Sequence, residues 1–193
     1  PNEGQEEIPP MMRLTVPRLF PPALLALAAT APAVAVDFTE AVDISRAAAP
    51  ADHTLMQVEL RDRDGMTVYQ ADLFPAGAAT EFEVRVDPTT GEVIEVDMGV
   101  PDPSEQAEVL AVFDRWDEVQ IDFADAIAIV QEVDAESALE KIQLDVEDGL
   151  VIYQLELIDA SGQDIRYYVN ATSGAIHDGN DGDDETAANE AFA

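Results

Sequence analysis

Val58-Glu59-Leu60-Arg61-Asp62-Arg63-Asp64-Gly65-Met66-Thr67-Val68-Tyr69-Gln70 and Ile142-Gln143-Leu144-Asp145-Val146-Glu147-Asp148-Gly149-Leu150-Val151-Ile152-Tyr153-Gln154 are two versions of one stretch. Each is followed by a similar ending, Val86-Asp87-Pro88-Thr89-Thr90-Gly91 and Val169-Asn170-Ala171-Thr172-Ser173-Gly174. A period of about 84 residues is too long for a solenoid repeat and suits a small domain with its own core. The chain therefore reads as a tandem pair.

Working outward from the repeat, the same order of elements occurs twice. Phe38, Ala41, Val42, Ser45 and Ala49 recur at helical spacing after Asp37, and Phe123, Ala126, Ile127 and Val130 recur after Asp122, so each copy opens with a helix bearing one apolar stripe. Alternating runs follow. Met56, Val58 and Leu60 alternate with polar residues, and Ile142, Leu144 and Val146 repeat that pattern; Tyr69, Ala71 and Leu73 match Tyr153, Leu155 and Leu157; Phe82, Val84 and Val86 match Ile165, Tyr167 and Val169. This period of two places one apolar face on every strand. Asp64-Gly65 and Asp148-Gly149 are two-residue type I′ links that force antiparallel hairpins. Asp87 to Gly91 and Asn170 to Gly174 read as turns into a further strand, Glu92 to Val96 in the first copy and a shorter Ala175-Ile176 in the second. The expected class is α+β, two tandem modules that each pack a helix on a three- to four-stranded antiparallel sheet.

The boundaries follow from composition. Residues 1–10 precede plausible start methionines and read as a non-native or over-extended N-terminus. Residues 11–35 carry Arg13 and Arg18, an Ala/Leu-rich run and small residues at Ala33-Val34-Ala35, the layout of a signal peptide. Module 1 is expected over 36–100 and module 2 over 101–177, with Pro101 to Ser104 as the linker and a helix from Ser104 through Ala107, Leu110, Ala111 and Phe113 to Trp116. Residues 178–193 read as a disordered acidic tail. Export to the periplasm or the medium is the resulting expectation, and the absence of cysteine leaves each module to hold by packing alone.

Charge restricts the partners. Asp and Glu total 41 against 9 Lys and Arg, a formal net charge of −32, and Lys141 is the one lysine. Such a surface repels nucleic acid and anionic membrane. Basic proteins and cations are the remaining candidates.

The order of helix, Asp-Gly hairpin, Tyr-Gln strand and Val-Asp-Pro-x-Thr-Gly-x-Val hairpin resembles the PepSY domain, twice over. The residues that carry the resemblance are Asp64, Gly65, Tyr69, Asp87 and Gly91, then Asp148, Gly149, Tyr153, Asn170 and Gly174. Copy two departs with Asn170 for Asp and Ser173 for Thr, both suited to a turn. The resemblance implies an exported helix-on-sheet module that binds proteins and restrains or regulates a peptidase.

No catalytic site is expected. His-Glu-x-x-His, Gly-x-Ser-x-Gly and P-loop patterns are missing from the sequence, and His53 and His177 read as solvent-facing loop residues at the module edges. No cofactor and no metal site are assigned; the run Asp178 to Glu185 lacks the glycine and the closing glutamate of an EF-hand loop. Tyr69 and Tyr153 fall on the buried phase. The candidate partner surface is Arg85, Trp116, Gln154, Arg166 and Tyr168, with Tyr168 on the outward phase and Trp116 at the module junction. The leading expectation is a non-enzymatic exported protein-binding module. Its alternative is an acidic periplasmic protein that binds or senses cations.

Overall fold

The computed structural model describes residues 36–179, so the N-terminal segments 1–10 and 11–35 and most of the acidic tail lie outside the described residues. The elements are α1 (Phe38–Ala48), β1 (His53–Arg63), β2 (Met66–Pro75), β3 (Glu81–Val86), β4 (Val93–Gly99), α2 (Pro103–Asp114), α3 (Phe123–Val133), β5 (Ala138–Glu147), β6 (Leu150–Ile158), β7 (Asp164–Asn170) and β8 (Ile176–Asp178). A single 3-10 turn, Trp116–Glu118, lies between α2 and α3.

Local chemistry sets each of these. Asp37 caps α1 by accepting the Glu40 N–H at 2.8 Å, and Asp122 caps α3 with a reciprocal capping box to Asp125. The two Asp-Gly hairpins have the double positive φ that type I′ geometry demands, 53° and 82° at Asp64-Gly65 and 48° and 80° at Asp148-Gly149. Asp87 accepts the Thr89 and Thr90 N–H groups at 2.7 and 3.1 Å, and Asn170 accepts those of Thr172 and Ser173 at 3.0 and 2.9 Å. Gly91 and Gly174 then close the turns at φ 72° and 70°. A Cβ on Gly91 would sit 3.3 Å from Ile44 Cδ1, and one on Gly174 would sit 3.2 Å from Ile129 Cδ1. Asn substitutes for Asp in the second turn because the turn uses only the side-chain oxygen.

The tyrosines of the repeat are core residues with a structural hydrogen bond each. Tyr69 donates to the Val36 carbonyl at 2.8 Å, and Tyr153 donates to the Ile121 carbonyl at 2.9 Å. Phe38 meets Tyr69 edge-on at 4.9 Å and Phe123 meets Tyr153 at 5.0 Å, with an interplanar angle of 78° in both. Each hydroxyl thus satisfies the chain just before its helix, locking helix to sheet.

The expectation of two separate sheets is corrected. All strands of the described residues join one antiparallel eight-stranded sheet in the order β4-β3-β2-β1-β5-β6-β7-β8. The seam is a short ladder in which Gln57, Val58 and Glu59 lie opposite Gln143, Ile142 and Lys141. Left alone, β1 and β5 would each be an edge carrying buried-type residues; paired, they bury Val58 and Ile142 completely. One continuous hydrophobic cluster runs from Val36 and Phe38 through Val58 and Ile142 to Val169 and Ala171.

The linker helix also differs from its expected form. Asp102, not Ser104, is the N-cap of α2, accepting from the Ser104 and Glu105 N–H groups with Pro103 in the first turn. Val109 and Val112 face the core, while Leu110 is exposed, so the stripe is rotated from the one expected. The helix stops at Asp114, and Trp116 falls in the 3-10 turn. Two residues assigned to the acidic tail are tied to the sheet: Asp178 ends the strand Ile176–Asp178, which pairs with β7, and the Gly179 N–H donates to the Arg166 carbonyl at 2.8 Å.

Candidate binding surfaces

The junction between the halves holds a cleft of about 610 Å³. Leu55, Phe123 and Tyr153 are its apolar lining, Arg46, Asp122 and Asp125 its charged lining, and Trp116 and His53 also contribute. Trp116 is 41% exposed, and its ring lies 6.1 Å from that of Phe113. The Arg115 guanidinium beside it is engaged by both carboxylate oxygens of Glu118 at 3.0 Å. Arg46 rests over the Phe123 ring at 5.6 Å and so ties α1 to α3 at the cleft wall. His53 is not a loop residue: it opens β1, its side chain is 11% exposed, and it packs edge-on against Phe82 while its Nδ1 meets Asp52 at 3.0 Å. His177 lies in β8, opposite Tyr168.

The sheet face that carries Gln57, Gln70, Asp72, Gln143 and Gln154 also bears Arg85, Arg166 and Tyr168 of the candidate partner surface, and the structure changes two of these expectations. Tyr168 has the expected phase but is 6% exposed. Ile152 and Leu150 pack on it, and Gly179 lies so close that a Cβ there would meet the ring at 2.8 Å. The segment that covers it is one the sequence assigns to the tail. Arg85 is 8% exposed, clamped between Glu83 and Glu95. Neither is a free anchor. Gln154 donates to Glu156 at 2.8 Å, and Arg166 pairs with Glu156 at 3.7 Å, a half-buried polar pair on that face. Of the five residues, Trp116 is the exposed aromatic.

Sequence reasoning missed a third feature. Carboxylate oxygens of Asp72, Glu81 and Glu83 lie within 4.8 Å of one another, and Asp72 is buried. Gln57 and Gln70 donate to the two Asp72 oxygens at 3.2 and 3.3 Å. Burial, followed by repulsion from Glu81, Glu83 and Glu105, pushes the Asp72 carboxyl up to about 7, against the Gln70 hydrogen bond. A small cavity of about 80 Å³ beside it is lined by Met56, Phe74, Glu105 and Val109, which places α2 next to this acid. The signal was present in the strand: Phe74 shares the phase of Asp72, and an aromatic at that phase implies a cover over the outer face.

Among the described residues no helix is long and apolar enough to cross a membrane. The family model described as peptidase propeptide and YPEB domain matches residues 35–97 and 120–178. No curated protein matches the chain. The crystal structure of a candidate lipoprotein from Clostridium difficile 630 is similar at a TM-score of 0.45 and 16% identity, over 74% of this chain and 90% of that one.

Proposed function

This chain belongs to the PepSY family, and from that premise we propose that it is an exported, non-enzymatic protein-binding protein that restrains or regulates a peptidase. The observation that carries the proposal is the junction cleft, where a half-exposed Trp116 stands beside an apolar floor on an otherwise strongly acidic protein. An aromatic of this kind supplies large contact area at low entropic cost, and the surrounding Asp122 and Asp125 favour a segment that brings an apolar side chain together with a basic one. The family's description as a peptidase propeptide domain supplies the class of partner.

Binding and inhibition measured against a panel of exported metallopeptidases test this. Trp116→Ala is expected to weaken the complex by about 30-fold or more, the equivalent of about 2 kcal/mol at an interface anchor. Absence of saturable binding at both low and moderate salt sinks the peptidase reading. A second reading, cation binding, draws on the Asp72, Glu81 and Glu83 oxygens. It predicts that millimolar Ca²⁺ raises the melting temperature of the parent protein and leaves Asp72→Asn unmoved.

A further inference from the structure

The sheet ends differently on its two sides. On the second-copy side β8 is three residues long, whereas on the first-copy side β4 is seven residues long and exposed along its whole length. Among the described residues β4 has β3 as its one strand neighbour, so its outer flank presents backbone N–H and C=O groups that no strand pairs, although the Met98 N–H donates to the Asp97 carboxylate at 2.8 Å. Edges are usually blunted by lysine, proline, bulges or brevity, and β4 contains neither lysine nor proline. Its one irregularity lies at the start, between Arg85 and Val86 of the partner strand, and pairing then continues evenly to Glu81 opposite Gly99.

The side chains of this edge are sorted by face. Val96 and Met98 lie opposite Val84 and Phe82, on the face that bears the core, yet they are 46% and 70% exposed. Glu95 and Asp97 occupy the other face, opposite Arg85 and Glu83. The one base of that neighbourhood, Arg85, is already shared by Glu83 and Glu95, so Asp97 and the adjacent Glu81 and Glu83 leave a local excess of negative charge. An added strand with apolar residues beside Val96 and Met98 must therefore carry basic residues beside Glu95 and Asp97.

We propose that β4 is a strand-addition site for an extended segment of a partner protein in which apolar residues alternate with Lys or Arg. A second copy of the chain is a poor occupant, because antiparallel pairing of β4 with itself sets Glu95 and Asp97 against the same acids of the other copy. The C-terminal segment 180–193 is excluded on the same ground, since it contains Asp181, Asp183, Asp184, Glu185 and Glu190 and no base. The site lies at the far end of the sheet from the β1–β5 seam, with β3 and β2 between, and its test is independent of the junction cleft.

The probe is a nine-residue peptide of alternating Lys and Val, titrated into the ¹⁵N-labelled chain. Saturable one-to-one binding is expected, with amide shifts concentrated in β4 and β3. The double variant Val96→Glu with Met98→Glu, at exposed positions, is expected to weaken binding at least ten-fold although it makes the edge more acidic; simple charge attraction predicts tighter binding and overturns the proposal. Methylating alternate backbone nitrogens of the peptide is expected to abolish binding to the parent protein. Unchanged affinity of that peptide, or a β4-dependent dimer in light scattering, also overturns it.

Discussion

Replacing Asp72 by Asn should make this protein more stable, and only above a definite pH. In the fold the Asp72 carboxyl titrates at about 7 against an ordinary value of 3.8, with burial as the first cause and Glu81 and Glu83 among the others. A carboxyl whose folded value is raised keeps its proton in the native state after the unfolded chain has lost it. The native state then binds more protons, so stability falls as pH climbs from about 4 to about 7 and is flat above. Three units at about 1.4 kcal/mol each set the penalty at roughly 4 kcal/mol. Asn carries no charge and keeps one acceptor for Gln57 or Gln70; the Gln70 Oε1, which has no hydrogen-bond partner, can turn to receive the new amide. Allowing about 1 kcal/mol for imperfect hydrogen bonds leaves a gain of about 3 kcal/mol at pH 8, or about 6 to 12 °C in Tm for a domain of this size. Thermal melts of both proteins from pH 3 to pH 9 should cross a little above pH 4, with the variant about 1 kcal/mol the less stable below that point, and separate in its favour through neutrality. Parallel curves, or a less stable variant at pH 8, would refute the buried-charge account.

Tyr69→Phe and Tyr153→Phe each remove one hydroxyl from a carbonyl at the foot of a helix, and each should cost about 1 to 2 kcal/mol in chemical denaturation; a negligible loss in both would show that those carbonyls find water instead. With a formal charge of −32, Tm should rise as salt increases from tens of millimolar toward molar, because the Debye length shrinks from about 30 Å at 0.01 M to about 3 Å at 1 M. A flat profile would mean that the carboxylates repel one another too weakly to matter.

The parts of the fold legible in the sequence were those fixed by short-range chemistry. Asp64-Gly65, Asp148-Gly149, Gly91 and Gly174 announce positive φ, and the alternation around Tyr69 and Tyr153 announces a core face; all sit where those rules put them. What was not legible depended on the meeting of distant segments. Nothing in the run Gln57-Val58-Glu59 says that its neighbour is Lys141 to Gln143 and not solvent, since an edge strand and a central strand share one alternation. The same holds for Tyr168, whose outward phase is correct and whose burial by Gly179 and Leu150 is a long-range event. Arg85 was misjudged because two acids on neighbouring positions of the folded sheet, Glu83 and Glu95, enclose it.

The seam has a further meaning. Val58 of the first copy corresponds in the repeat to Ile142 of the second, Gln57 to Lys141 and Glu59 to Gln143; in the ladder Val58 faces Ile142, Gln57 faces Gln143 and Glu59 faces Lys141. Position i of one copy thus meets position j of the other, and j meets i, with Val58 and Ile142 on a local two-fold axis. That is the contact rule of an isologous homodimer, here written into a single polypeptide. A dimer of one module would own two identical outer edges and obey exact symmetry in everything it bound. Fusion releases that constraint: once both copies share a chain, one end can be trimmed to the three residues of β8 while the other keeps the seven of β4, and a sheet with two equivalent ends acquires a direction.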